Sequence, residues 1–429
     1  MTSDTYSAEW PAPVASAPLS ATVSLPGSKS LTNRELVLSA LADAPTTLHK
    51  PLHSRDSKLM VAALGALGVG IESSETFIRV TPAALNGPAT IDCGLAGTVM
   101  RFVPPLAGLA HGDVRFDGDE GARRRPMHTT ISSLRALGLE VTTEGADALP
   151  FTVHGTGKVV GGELEIDASA SSQFVSGLLL AAARFEKGLT LHHVGEHLPS
   201  LPHIEMTLDT LAKRGVKVSN PNPTTWRVEP GPISGGELTI EPDLSNAGPF
   251  LAAAMVAGGS VTVPDWPTST TQVGNEFDGI LQRMGATVTR SSAGLTVIGD
   301  GSIHGIEIDL SIGGELTPVI AALGALADSP TRITGVAHLR GHETDRLAAL
   351  VTEINLIGGN ARELPDGLEI SPAPLQGGLW HSYEDHRMAT AGAIIGLRVP
   401  GILVENVETT SKTMPNFVEL WQSMLGGRA

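Results

Sequence analysis

Cysteine is nearly missing from this 429-residue chain. Cys93 stands alone, which rules out an intramolecular disulfide framework and a zinc–thiolate cluster and suits a reducing, cytoplasmic setting. Long apolar runs are missing too. None approaches the roughly 20 residues a membrane span needs, so no membrane partner is expected. Basic residues are scarce, 29 against 45 acidic ones for a formal charge of −16, and such a balance does not suit the phosphate backbone of nucleic acid. Small anions stay open, because a local cluster of cations focuses field even on an acidic protein. The opening MTSDTYSAEWPAPVASAP has neither an early basic residue nor an apolar core. Residues 1–15 therefore read as a flexible tail and not as a secretory leader.

Several site signatures are lacking as well. Pro26-Gly27-Ser28-Lys29-Ser30 has no glycine at the upstream position a nucleotide P-loop requires, and Gly155-Thr156-Gly157 lacks the fingerprint and helix of a dinucleotide site. His338 and His342 are four apart, but Gly341 and the lack of an HExxH pattern argue against a zinc helix. His192, His193, His197 and His203 show no consistent ligand spacing. Neither a metal nor a cofactor is expected. Cys93, in the apolar strand ATIDCG, reads as buried and inert.

What is present is a repeat. Six segments share one plan of short strand, small or polar loop, Ala/Leu-rich helix, turn and second strand, recurring about every 70 residues. They begin ATVSLPGSKS, ATIDCGLAGT, LEIDASASSQ, LTIEPDLSNA, IEIDLSIGGE and LWHSYEDHRM. Between them lie amphipathic helices such as ISSLRALGLEV and FDGILQRMGATV, with a glycine suited to a left-handed C-cap, then two short strands. Each unit reads as βαβαββ. The chain is therefore expected to be α/β (α+β), with three units in a contiguous domain, 28–240, and three in a discontinuous one, 1–27 plus 241–429. After TMPNFVELWQSMLGGRA the last unit lacks its closing strands, and APLSATVSL is expected to supply the edge.

The loops before the first helices are where chemistry is expected, because helix N-termini favour anions. Lys29, Gly97, Ser171-Ser172-Gln173, Glu315 and Asp385-His386-Arg387 fall there, while Ser245 reads as a cap and the fourth loop as mainly structural. Further cations sit near the starts of second helices: Arg123-Arg124-Arg125, Arg346, and Lys412, which is read as opening the last helix.

LPGSKSLTNR, LAGTVMRF, RRRPM, SASSQF, HETDRL, EDHRMA and SKTMP, in this order, resemble the motifs of the bacterial 5-enolpyruvylshikimate-3-phosphate synthase (3-phosphoshikimate 1-carboxyvinyltransferase) family, over nearly the whole chain beyond the first fifteen residues. The resemblance implies two inverse α/β-barrel domains, each of three βαβαββ units, the enolpyruvyl transferase fold. It implies transfer of the enolpyruvyl group of phosphoenolpyruvate to the 5-hydroxyl of shikimate 3-phosphate through a tetrahedral ketal, in chorismate and aromatic amino-acid biosynthesis. Carried over by position, shikimate 3-phosphate is assigned Lys29, Ser30, Arg34, Ser171, Ser172, Gln173, Ser200, Glu315 and His342. Phosphoenolpyruvate is assigned Lys29, Gly97, Arg125, Gln173, Arg346, Arg387 and Lys412. Glu315 is the expected base at the 5-hydroxyl and Glu343 the group that moves a proton at C3, with Lys29 and His386 assisting. A cytoplasmic monomer inhibited by glyphosate is expected.

Three positions depart from the family pattern: Leu95 stands where Asn is common, His342 where Lys is, and His338 where Asn is. Two other readings use the same scaffold. The sister transferase acting on UDP-N-acetylglucosamine commonly uses a reactive loop cysteine, whereas Cys93 is in a strand. A non-catalytic anion-binding protein would need cations without Glu315 and Glu343.

Overall fold

In the computed structural model, which describes residues 9–426, the chain divides into two compact units, Gly27–Glu241 and Met1–Pro26 with Pro242–Ala429. Three four-stranded sheets on one plan make up Gly27–Glu241. In the middle one, Ala89–Asp92 runs parallel to His111–Asp117, which pairs antiparallel with Phe151–Thr156, and that strand with Glu140–Thr143. Gly162–Ile166, Leu189–His193, Thr225–Val228 and Val218–Asn222 repeat it. In the third sheet Thr46–His49, Phe77–Thr81 and Gly70–Ser73 are led by Gly236–Thr239, parallel, with Gly236 opposite Thr46.

The other unit follows the same scheme. Leu19–Thr22 leads Gly259–Val263, Gly294–Gly299 and Thr287–Ser291. Glu307–Asp309 leads Thr331–Thr334, Gly367–Ser371 and Asn360–Leu364. Gly378–Trp380 pairs with Ile402–Glu405. The strands leading the first and fourth repeats are thus exchanged between the two units.

Two expectations are corrected here. The edge of the last repeat is not APLSATVSL but Glu9–Pro11, antiparallel to Ile402–Glu405. Residues 9–15 are accordingly no tail: Ala12 N–H donates to Ile402 O at 3.0 Å, Ala15 N–H to Leu397 O at 2.9 Å, and Trp10 meets Phe417 edge-on at 6.4 Å. The physical reason is the open edge of Ile402–Glu405, whose backbone groups need partners. The rest of the predicted tail, residues 1–8, lies outside the described residues.

The first helix of each repeat forms the core. Every residue of Gly97–Gly108 is buried, as is Leu244–Val256 of Leu244–Ala257, which explains their Ala/Leu/Gly-rich sequences. In Gly27–Glu241, Asn33 Nδ2 donates to Thr98 Oγ1 at 2.7 Å and joins the first turns of Lys29–Ala40 and Gly97–Gly108. The Gln173 side chain, opening Gln173–Ala182, lies 3.0 Å from where a Gly97 Cβ would stand. At the far end Arg184 Nε donates to Leu41 O, the C-cap of Lys29–Ala40, at 2.7 Å. The three helices therefore run parallel.

Leu244–Ala257, Thr317–Ala325 and His386–Gly396 do the same in the other unit. Ser245 and Arg387, in the first turns of two of them, both reach Glu315 just before the third. Beyond their last turns Arg398 Nη2 donates to Val256 O at 2.8 Å, and its Nη1 to Leu326 O at 3.4 Å.

Candidate active site

Within Gly27–Glu241 the sequence-predicted residues gather at the helix starts. Lys29 opens its helix behind the N-cap Ser28, with Nζ 3.6 Å from Asp56 Oδ2. Ser30 O accepts from Arg34 Nη1 at 3.0 Å. Arg34 is itself buried, and donates to Thr207 Oγ1 at 2.8 Å, His203 O at 2.8 Å and Ser176 Oγ at 3.3 Å. It thereby ties Ser30 to the first turns of Leu201–Lys213, whose N-cap is Ser200 in the left-handed region at φ 54°. Ser171 Oγ accepts from the Gln173 N–H at 3.3 Å, and Ser172 is the N-cap of that helix.

Gly97 is the point of closest approach. A Cβ there would lie 3.0 Å from Arg101 Nη1, Arg125 Nη2 and Gln173 Oε1 alike. The helix at Gly97 has no side-chain cap, so its first N–H groups are left for something else, whereas at Gln173 the first two N–H groups go to Ser171 Oγ and Ser171 O. Arg125 Nη1 donates to Leu95 O at 3.0 Å, while Arg125 Nε and Gln173 Oε1 are buried without a protein hydrogen-bond partner. The arginine triplet separates cleanly. Arg123 pairs with Asp117 and Arg124 with Glu120, both exposed, and Arg125 alone turns in.

The remaining residues meet in the other unit. Glu343 accepts from Lys412 Nζ at 2.6 Å and from Arg346 Nη2 at 2.8 Å. Arg346, 2% exposed, also clasps Asp385 through Nε at 2.7 Å and Nη2 at 3.2 Å. Burial would lower the pKa of this guanidinium, but Asp385 and Glu343 outweigh it and hold the group above its ordinary value. Arg346 Nη1 donates to His342 Nδ1 at 3.1 Å, which makes that nitrogen an acceptor and the ring neutral, with its proton on Nε2. Arg387 Nη2 lies 3.8 Å from Glu315 Oε1. His386 is buried with Nδ1 3.6 Å from Asp385 Oδ1. Asp385 also caps its helix, accepting from the Arg387 N–H at 2.8 Å.

Two readings change. Lys412 closes the short helix Val407–Lys412 and does not open the last helix, which starts at Phe417. Ser245 is not the cap, which is Asp243; it lies inside the helix and its hydroxyl donates to Glu315, so the fourth loop is not purely structural. Sequence reasoning passed over Asp56, Arg101 and Glu353. Arg101 sits inside LAGTVMRF and donates to Pro126 O at 3.1 Å, bracing the Arg125 segment; the other two carry no motif. Among the described residues no group of three His, Cys, Asp or Glu side chains is arranged to hold a metal ion. Cys93 is buried, which together with Asp92 pushes its thiol up to about 12.

His338 stands beside His342, ring centroids 5.5 Å apart, and its Nε2 is buried against Gly314. Burial, helped by the Arg346 charge, pushes its pKa down to about 4 from the ordinary 6.5. The unfolded chain takes up this proton near 6.5 and the folded chain refuses it, so stability falls as pH drops through that window. The loss is expected to reach about 3 kcal/mol. His338→Asn should flatten the dependence of the urea midpoint between pH 7 and pH 4.5; an unchanged slope would show that His338 is not its source.

Residues 14–421 match the family model described as EPSP synthase (3-phosphoshikimate 1-carboxyvinyltransferase). A 3-phosphoshikimate 1-carboxyvinyltransferase of Kocuria rhizophila is 55% identical over 97% of this chain and 96% of that one. Among solved structures, an EPSP synthase from Acinetobacter baumannii superposes with a TM-score of 0.79 at 25% identity, over 96% of this chain and 97% of that one. The enolpyruvyl transferase NikO from Streptomyces tendae, 16% identical over 96% of both chains, shares the fold with a TM-score of 0.75. With its six helix starts, its two carboxylates held among cations and these relatives, the chain belongs to the EPSP synthase family.

Proposed function

We propose that this chain transfers the enolpyruvyl group of phosphoenolpyruvate to the 5-hydroxyl of shikimate 3-phosphate and releases phosphate. The observation that carries the chemistry is Glu343, held by Lys412 and Arg346, in the unit that also holds Glu315 beside Arg387. Two carboxylates among cations suit a reaction that needs a base, an acid and charge stabilisation together.

Shikimate 3-phosphate is assigned Lys29, Ser30, Arg34, Ser171, Ser172, Gln173 and Ser200, with Glu315 and His342. Phosphoenolpyruvate is assigned Lys29, Gly97, Arg125 and Gln173, with Arg346, Arg387 and Lys412. The crowding at Gly97 supports this, since only glycine leaves space among Arg101, Arg125 and Gln173. Glu315 takes the proton of the 5-hydroxyl as that oxygen bonds to C2 of phosphoenolpyruvate, and Glu343 delivers a proton to C3. The product of this step is the tetrahedral ketal. In the second step Glu343 takes a proton back from the methyl carbon, the double bond re-forms and the C2–O bond to phosphate breaks, with Glu315 returning its proton to the departing phosphate. Lys29 and His386 assist by holding charge. An incoming anion would share Lys412 and Arg346 with Glu343, and a carboxylate that loses cation contacts binds its proton more firmly. Substrate arrival thus prepares Glu343 to act as an acid.

No observation favours the UDP-N-acetylglucosamine reading, since the buried Cys93 cannot act as a loop nucleophile. We take the chain to work as a cytoplasmic monomer; no helix among the described residues is long and apolar enough to cross a membrane.

Mixing the protein with both substrates should release phosphate, and omitting either should abolish release. Glu343→Gln should cut kcat by about 10²–10⁴-fold and retain shikimate 3-phosphate binding by calorimetry; full turnover in that variant would exclude Glu343 as the proton carrier. Protonating His342 would set an N–H against the Arg346 guanidinium, so activity should decline in mild acid, and His342→Lys should remove that decline. Superimposable pH–rate profiles would refute this. Glyphosate should inhibit competitively against phosphoenolpyruvate, and inhibition unaffected by phosphoenolpyruvate concentration would contradict the Gly97 assignment.

A further inference from the structure

The turn leading into Asp385 is held in an unfavourable shape by a buried carboxylate. Tyr383 and Glu384 both lie in the left-handed region, at φ 53° and 57°, where residues with a Cβ are disfavoured. The second repeat has an easier solution at the equivalent place: two residues before its N-cap Ala96 stands Gly94, at φ 48°. In the sixth repeat Tyr383 occupies that place before Asp385 and is tied down instead. Its hydroxyl donates to Glu353 Oε1 at 2.6 Å, and the His381 N–H donates to Oε2 at 2.9 Å. His381 Nδ1 lies 3.1 Å from the same Oε2.

Glu353 belongs to Arg346–Leu356 and its side chain is 0% exposed. A carboxylate placed there without these donors is strongly unfavourable, and an apolar side chain would fill the helix face more simply. Both the disfavoured backbone and the buried charge converge on one short segment. That segment ends at Asp385, which accepts from the Arg387 N–H and clasps the Arg346 guanidinium. Glu353 also lies seven residues after Arg346 on the same helix, so one rigid element carries both the arginine and the anchor for its partner.

We propose that Glu353 and Tyr383 are positioning residues for phosphoenolpyruvate, fixing the 381–384 turn so that Asp385 holds Arg346 and Arg387 in place. The inference rests on the transferase reading for its consequence and on the turn alone for its cause. Nothing in it requires either residue to touch substrate.

Two measurements on the full chain separate these. Hydrogen exchange should show the 381–388 peptide of Tyr383→Phe exchanging about tenfold faster, with peptides of Gly27–Glu241 unchanged, because one hydrogen bond to a charged group is lost. Steady-state kinetics should show KM for phosphoenolpyruvate raised about tenfold, with KM for shikimate 3-phosphate within about twofold of the unmodified chain. Glu353→Gln should do the same more strongly; since its buried site makes misfolding a risk, the half-exposed Tyr383 is the deciding variant. Unchanged exchange in Tyr383→Phe overturns the anchor. Faster exchange with unmoved KM values, or both KM values rising together, overturns the positioning role. An unmodified chain that releases no phosphate would end the transferase reading, and the exchange result would still decide whether Glu353 sets the turn.

Discussion

Three parallel helices buried side by side create an electrostatic problem that shapes each unit. A helix such as Gly97–Gly108, with no exposed residue, cannot pass its terminal carbonyls to water, and neither can the neighbours packed on it. Parallel dipoles add, so N–H groups accumulate at one end and carbonyls at the other. The carbonyl end is closed by an arginine in both units: Arg184 on Leu41 O, and Arg398 on Val256 O and Leu326 O. Each follows the C-cap of its unit's third core helix by one residue. Arg398 meets backbone carbonyls, and burial alone lowers its pKa. The opposite end then attracts anions before any catalytic side chain is chosen, and Lys29, Gln173, Glu315 and His386 are all found there.

The two units meet that attraction differently. In Gly27–Glu241 the two cations at the Gly97 turn, Arg101 and Arg125, both bond to backbone carbonyls, of Pro126 and Leu95. In the other unit Lys412, Glu343, Arg346 and Asp385 form an alternating chain in which two cations face two carboxylates. Burying such charges is costly, and losing one partner costs more than the pair gains. That is why Arg346 is clasped at two points and why Asp385 doubles as a helix cap. Rigidity around Arg346 follows from electrostatics and needs no extra packing.

The repeat was legible in the sequence because buried core helices have a composition that surface helices do not. The domain bounds placed both exchanged strands in the right unit, but the sheet that Leu19–Thr22 joins was hidden, since a four-residue strand suits either sheet edge, and Glu9–Pro11 is too short for periodicity to register. Arg125 was recoverable in principle. Asp117 and Glu120 lie close by in sequence and claim Arg123 and Arg124, which leaves the third arginine. Glu353 gave no such sign. A glutamate on an amphipathic helix is ordinarily a solvated residue, and only the fold shows His381 and Tyr383 closing over it.

Identical backbones at six places would offer six similar anion sites, which is of little use to a reaction between two unlike substrates. The first helical residues break the equivalence: Lys29, Gly97, Gln173, Leu244, Thr317 and His386. A lysine supplies charge, a glycine lets a ligand reach the backbone, and a glutamine offers both a donor and an acceptor. Leucine supplies none of these and the threonine hydroxyl is buried without a protein partner, and in their unit polar groups come from flanking positions, Ser245 and Glu315. The same departure appears one step earlier in the chain, where Gly94 turns the backbone freely and Tyr383 must be held. Repetition therefore sets where the helix starts lie within each unit, and the differences among them set which polar groups every start presents.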